Sequence, residues 1–300
     1  MKKGKTLWLI IGISLILIGC LIFGGAMSII KWNFLELSTS DFETKEYFIS
    51  EEYSDITIFS KQADVVLEPT TETETKVVCY QQANLTYSVK VVDNTLLIES
   101  VDTRNWIDHI GFNIKQPKIT VCVPQGEYDS LVINGDTGYV NVPSQYTFKD
   151  IKITQSTGKI INFASATNDI ILTTNTGGIT VSNVLAKNLS VTVSTGKVNL
   201  RDVNCTTLIS SGNTGDISLK NTIVRDTLTI TRSTGDVKLE NSDAENIFIQ
   251  TDTGDITGTL KTEKVFTTNT STGKIDIPKT SNGGKCNLET STGNIKIRIN

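Results

Sequence analysis

The chain has 300 residues, of which 38% are hydrophobic, 20% charged and only 7% aromatic, with 22 glycines and 5 prolines, enough for one large domain or two ordinary ones. A single histidine, His109, excludes chemistry built on imidazole clusters, and any catalytic dyad or triad must use it or do without. The net charge of −4 hides an asymmetry: residues 1–31 hold Lys2, Lys3, Lys5 and Lys31 and no acid, so the remainder sets 24 basic against 32 acidic residues, an acidic body that argues against nucleic acid as a partner.

Leu7 to Ile30 is a charge-free run of 24 residues, long enough at about 1.5 Å per residue to span a ~30 Å hydrocarbon core. Trp8 and Trp32 stand at its ends, where amphipathic rings favour the interface, and three lysines precede it. The expectation is an uncleaved single-pass anchor, with residues 1–6 a cytoplasmic tail and the chain beyond residue 31 extracytoplasmic. A cleaved signal peptide is the alternative, but its apolar region is usually shorter. Leu17-Ile18-Gly19-Cys20 resembles a lipobox, which would anchor the chain through acylated Cys20, yet Leu21 to Ile30 stays apolar where a lipoprotein has a polar tether. Cys20, Gly24 and Ser28 form a small-residue stripe that reads as chance. Residues 31–46 read as a juxtamembrane linker.

Residues 47–130 are β-rich but irregular, an N-terminal cap. Ser60 to Leu67 is a degenerate repeat unit with Ala63 where a turn glycine would stand, and Leu85 to Val92 and Thr95 to Val101 alternate around Asp93-Asn94 as a hairpin. From 131 to 300 a Thr-Gly pair preceded by Ser, Asn or Asp recurs nine times, at Gly138, Gly158, Gly177, Gly196, Gly215, Gly235, Gly254, Gly273 and Gly293, every 19 or 20 residues. Two residues after each glycine comes Val or Ile, and apolar residues alternate with polar ones on both sides of the turn, the period of a half-buried strand. Glycine supplies the positive φ of a sharp corner. Units this short cannot bury a face alone and must stack. The fold expected is all-β: a β-solenoid of about nine coils, a rod of roughly 40 Å at strand spacings of about 4.8 Å. The last strand, Asn294 to Ile299, is expected to form an uncapped end, with Lys296 and Arg298 as edge charges.

These residues resemble the bacterial "putative adhesin" β-strand repeat family of membrane-anchored envelope proteins, a domain of unknown function. The resemblance rests on Ser-Thr-Gly-Asp-Val at 233–237 and its relatives, on Ala63-Asp64-Val65, and on Pro117 to Val121 leading to Glu127 to Leu131. Trp106 to Phe112 is similar to the family's aromatic-glycine segment. The resemblance implies a surface protein, sometimes tied to envelope stress, and brings no catalytic residues and no cofactor.

Candidate sites are few. Asp216, Asp236 and Asp255 follow the turn glycines of three successive coils, stacked about 5 Å apart, close enough to share a hard cation; a solvated column bracketed by Lys197 and Lys274 is the plainer reading. Thr154, Thr173, Thr192, Ser211 and Thr231 form an outward hydroxyl column, either a glycan- or ice-binding array or simple strand formers. Cys205 and Cys286 read as buried small hydrophobes too far apart to bridge, whereas Cys79 and Cys122 could pair. His109 reads as packing among aromatics. Asn84-Leu85-Thr86 and Asn188-Leu189-Ser190 match sequons, to which the resemblance to a bacterial family assigns no role. Even coil lengths leave no residues to wall a cleft, so the function expected is that of a non-enzymatic surface-binding, adhesin-like or envelope-stress-associated protein, its partner an envelope protein or cell-wall glycan; the alternative is a cell-wall polysaccharide-binding or polysaccharide-acting β-helix protein.

Overall fold

The structure, a computed structural model, describes residues 2–33, 41–104 and 115–300. Among the described residues there is one helix, Lys2–Ile29, and its stretch Leu7–Ile29 is long and apolar enough to cross a membrane. The remaining regular structure is β. Its first strand, Phe42–Ile49, begins inside the segment expected to be linker.

Coils are numbered 1–9 by their turn glycines in chain order, and they stack through three ladders of parallel strands. Before the turn, Leu131, Ile151, Ile170, Leu189, Leu208, Leu228 and Ile247 stand opposite one another from coil to coil. After it, Val140, Ile160, Ile179, Val198, Ile217, Val237 and Ile256 do the same. A short third ladder runs through Cys205, Val224 and Ala244. All these side chains are buried in one continuous core. Burial of each Val, Ile or Leu is worth about 1.5–3 kcal/mol. Each coil completes that burial for its neighbour, so stacking stabilises every unit. The chain forms the expected β-solenoid of about nine turns.

The coils do not stack in sequence order at the C-terminal end. Strand Gly284–Thr292 of coil 9 inserts between coils 7 and 8: Ile247 pairs with Cys286, and Cys286 pairs with Phe266. On the other ladder Ile256 pairs with Ile295, and Ile295 with Ile275. The spatial order is therefore 7, 9, 8. This corrects the expectation that Asn294 to Ile299 forms the open edge. The edge belongs to Lys264–Thr272 and Ile275–Asp276 of coil 8, and the Arg298 guanidinium reaches across to the Asp276 carboxylate. Residues 277–283 carry the chain back to the point of insertion. Two glycines make that passage possible: a Cβ on Gly283 would lie 1.8 Å from the Glu263 carbonyl oxygen, and one on Gly284 would lie 1.7 Å from that of Glu245. A buried ion pair locks the junction, Lys264 Nζ to Asp243 Oδ1 at 2.8 Å, while Asp243 Oδ2 accepts from the Lys261 amide and the Thr262 hydroxyl.

The N-terminal end is built differently. Asp55–Ser60 and Asp64–Thr70 stack on coil 1 as the degenerate unit, with Ile56 opposite Leu131 and Val65 opposite Val140. Antiparallel strands then close the end. Leu85–Val92 and Thr95–Asp102 form the expected hairpin, with Asp93 and Asn94 at φ 47° and 63°. Thr75–Gln82 pairs with Phe42–Ile49 on one side and Lys118–Pro124 on the other. Tyr53, Tyr128, Tyr146 and Phe148 crowd together here with ring contacts of 5.8–6.3 Å.

Candidate functional site

The turn glycines do more than supply a corner. A Cβ on any of them from Gly158 to Gly293 would lie 1.7–2.2 Å from the carbonyl oxygen of the glycine in the adjoining coil, so the nine form a close-packed backbone ladder. Most hold φ between 128° and 154°. Ala63 is tolerated because it sits at the bottom of that ladder, where Gly138 rests on its carbonyl.

Asp216, Asp236 and Asp255 lie side by side beside this ladder, and their carboxylates are already engaged. Asp216 Oδ1 accepts the Asp236 amide at 3.2 Å, Asp236 Oδ1 accepts the Asp255 amide at 2.8 Å, and Asp255 Oδ1 accepts the Asn294 amide at 2.7 Å. Lys197 binds Asp216 Oδ2 at 3.0 Å, and its hydrogen bond holds the Asp216 carboxyl below the usual carboxylate range. The inserted coil puts Asn294, not Lys274, next to Asp255, and Asn294 Oδ1 then accepts the Lys274 amide. The column thus clips one coil to the next. Among the described residues no group of three His, Cys, Asp or Glu is placed to hold a metal ion.

Two further ladders escaped the sequence reading. Six residues after the glycine, Asn183, Asp202, Asn221 and Asn241 occupy the left-handed region at φ 49–56° and turn the second corner. Their side chains bond along the stack, Asn221 Nδ2 to Asp202 Oδ1 and Asn241 Nδ2 to Asn221 Oδ1. Three residues before the glycine, an inward threonine donates to a turn-glycine carbonyl one coil away, as Thr174 to Gly158, Thr251 to Gly235 and Thr290 to Gly254. The signal for both was a constant spacing from the glycine, repeated within the chain itself. Where this inner row breaks, a glycine faces a long polar side chain in the next coil. Gln155 fills the space over Gly135, and Arg232 that over Gly212. Arg232 is 1% exposed, donates from Nη2 to Ser210 Oγ at 2.9 Å, and leaves Nε and Nη1 without a partner among the described residues.

The cysteines do not pair. All five are free. Cys79 and Cys122, the pair that could have bridged, sit on neighbouring strands three positions out of register, with Cys79 buried and Cys122 half-exposed on the other side of the sheet. Burial pushes the thiols of Cys79, Cys205 and Cys286 up to about 12. His109 and the segment Trp106 to Phe112 lie outside the described residues.

Thr154, Thr173, Thr192, Ser211 and Thr231 stand in one outward column, as their spacing predicts, and Thr192 and Ser211 share a hydrogen bond of 3.2 Å. Beside the column run Ile171, Ser190, Ile209, Thr229 and Phe248. At its C-terminal end the face dips into an open groove of about 180 Å³, whose lining includes Thr229, Thr231, Phe248, Gln250, Asn287 and Glu289.

This coil architecture has a counterpart among known families. Residues 53–298 match the family model Toastrack DUF4097. The chain belongs to that family. No curated protein matches it. Two solved structures share the fold of this Toastrack chain. One, described as a "putative adhesin" from Parabacteroides distasonis, is 12% identical with a TM-score of 0.54, covering 86% of this chain and 98% of its own. The other, described likewise and from Parabacteroides merdae, is 12% identical with a TM-score of 0.52, covering 87% and 98%. At that identity the likeness extends to the fold alone, and the Toastrack coils carry no functional residues across.

Proposed function

We propose that this Toastrack chain is a membrane-anchored, non-enzymatic surface-binding protein, held by Leu7–Ile29 with its β body outside the cytoplasm. The observation that carries the reading is an unbroken parallel ladder presenting flat outward columns on a rigid support. Binding by such a face costs little ordering entropy, because the side chains sit on strands and not on loops. Tight corners support the non-enzymatic reading, since a catalytic cleft needs walls that exclude water. Lys2, Lys3 and Lys5 ahead of the apolar helix support a cytoplasmic N-terminus. Solved structures of the same fold, each described as a "putative adhesin", lend weak support to a surface role.

Protease added to spheroplasts carrying the full chain tests this. The β body is digested while the helix stays with the membrane, and the undigested chain sediments with isolated envelope fragments. A body protected from protease, or turnover of envelope glycans by the purified chain, would defeat the reading.

A further inference from the structure

We propose that the groove around Phe248 is a binding site for a neutral polysaccharide. The inference rests on the surface-binding reading above and names its ligand class and position. The strands that meet there do so only because coil 9 is inserted: Phe248 stands opposite Thr229 on one side and Asn287 on the other, and Gln250 stands between Thr231 and Glu289. In sequence order Phe248 and Gln250 would instead adjoin coil 8, which offers Thr267 and Asn269. The inserted coil therefore sets an amide and a carboxylate beside a half-buried aromatic ring.

That combination fits a sugar. The apolar C–H face of a pyranose packs on an aromatic ring, and side-chain amides and carboxylates exchange hydrogen bonds with its hydroxyl groups. The groove offers one aromatic ring among convergent polar groups, Thr229, Thr231, Gln250, Asn287 and Glu289. Charge selects the class. Glu289 in the groove repels an anionic ligand, and among the described residues no lysine or arginine lines it; Asp252 on coil 7 and Lys285 on coil 9 flank the lining and offset one another. From coil 6 back to coil 3, the three outward columns nearest the turn consist of Ser, Thr, Asn and Ile without a charge. A neutral chain can continue along them.

The apolar members of this face also recur. Ile171, Ile209 and Phe248 occupy the same column on every second coil, and Ile171 and Ile209 are 37% and 48% exposed. Two strand spacings amount to about 9.6 Å, close to the disaccharide repeat of an extended β-1,4-linked chain. Alternate rings of such a chain present the same face, so its period matches that of the platform.

The full chain in detergent micelles, titrated with cellohexaose and chitohexaose, tests the site. Saturable binding is expected, weakened about tenfold by Phe248→Ala, the loss of an ordinary aromatic contact. Phe248→Trp retains the ring and the binding, and Phe59→Ala, at an exposed phenylalanine near the other end of the rod, changes nothing. Phe248 is half-buried on the outward face, so its truncation lowers the unfolding midpoint only slightly, and binding measured well below that midpoint keeps the two effects separate. Undiminished affinity in Phe248→Ala, or binding of polygalacturonate alone, overturns the proposal. So does a chain that sediments with envelopes but binds neither neutral oligosaccharide, an outcome that leaves the surface-binding reading standing. A chain that does neither removes both.

Discussion

At Gly196 and Arg232 the stack makes opposite demands on single residues. Gly196 holds φ 147°, and an added Cβ would lie 1.7 Å from the Gly177 carbonyl oxygen, a backbone atom with no freedom to retreat. Gly196→Ala should therefore cost on the order of 3 kcal/mol or more, lowering the thermal midpoint of the full chain by about 10 °C; an unchanged midpoint would mean the coils are not in this register. Arg232 works the other way. A guanidinium cannot shed its proton in water, and here it is buried with one hydrogen bond and, among the described residues, no ion pair. Arg232→Met keeps much of the volume over Gly212 and removes the charge, so stability should rise by about 1–2 kcal/mol in urea unfolding even though Ser210 loses its partner. A fall in stability would show that the buried charge is compensated. Glycines at the turns were legible in the sequence because they recur. Gly135 and Gly212 were not, because their reason lies one coil away, in Gln155 and Arg232.

At the level of the strand, the repeat that reveals the fold also conceals its order. Every coil offers the same glycine and the same Val or Ile two residues on, so the repeat does not by itself order coils 8 and 9 beside coil 7, although opposite Ile249 coil 9 sets Leu288 where coil 8 would set Thr268. The 20-residue step from Gly273 to Gly293 looks regular, yet it contains a strand cut to Ile275–Asp276 and a crossing over residues 277–283. What distinguishes the two orders is non-periodic: the Asp243–Lys264 pair and the side-chain-free passage at Gly283 and Gly284. Paired cysteines on the outward face read the order directly. Gln250→Cys with Glu289→Cys places thiols on adjacent strands, within disulfide reach, and should cross-link under mild oxidation. Gln250→Cys with Asn269→Cys spans two strand spacings, about 9.6 Å, and should not. Cross-linking of the second pair and not the first would restore sequence order. The native thiols of Cys79, Cys205 and Cys286 are buried and do not compete, and the exposed Cys20 and half-exposed Cys122 are changed to Ser in the background chain.

Taken whole, the molecule is a one-dimensional stack with unlike ends. The N-terminal end is closed by antiparallel strands and a cluster of aromatic rings, which is why its sequence departs from the repeat. At the C-terminal end the apolar inner row meets solvent: Ile275, whose counterparts Ile256 and Ile295 are fully buried, is 45% exposed, and an open hollow adjoins Val265, Phe266 and Ile277. In a stack, each coil depends on its neighbours, and opening begins where a coil has only one. Here that coil is the eighth, not the last in the chain. Amide exchange on the full chain should therefore be fastest across Lys264–Thr272 and Ile275–Asp276, while Gly284–Thr292, nearer the C-terminus, exchanges with the protected interior because it is bonded on both sides. A conventional terminal stack predicts the reverse gradient, with protection falling steadily toward Asn300. Faster exchange at 284–292 than at 264–272 would rule out the inserted coil and remove the juxtaposition of Phe248 with Asn287 and Glu289. The order of coils 8 and 9 thus decides both where the rod frays and which side chains stand beside Phe248.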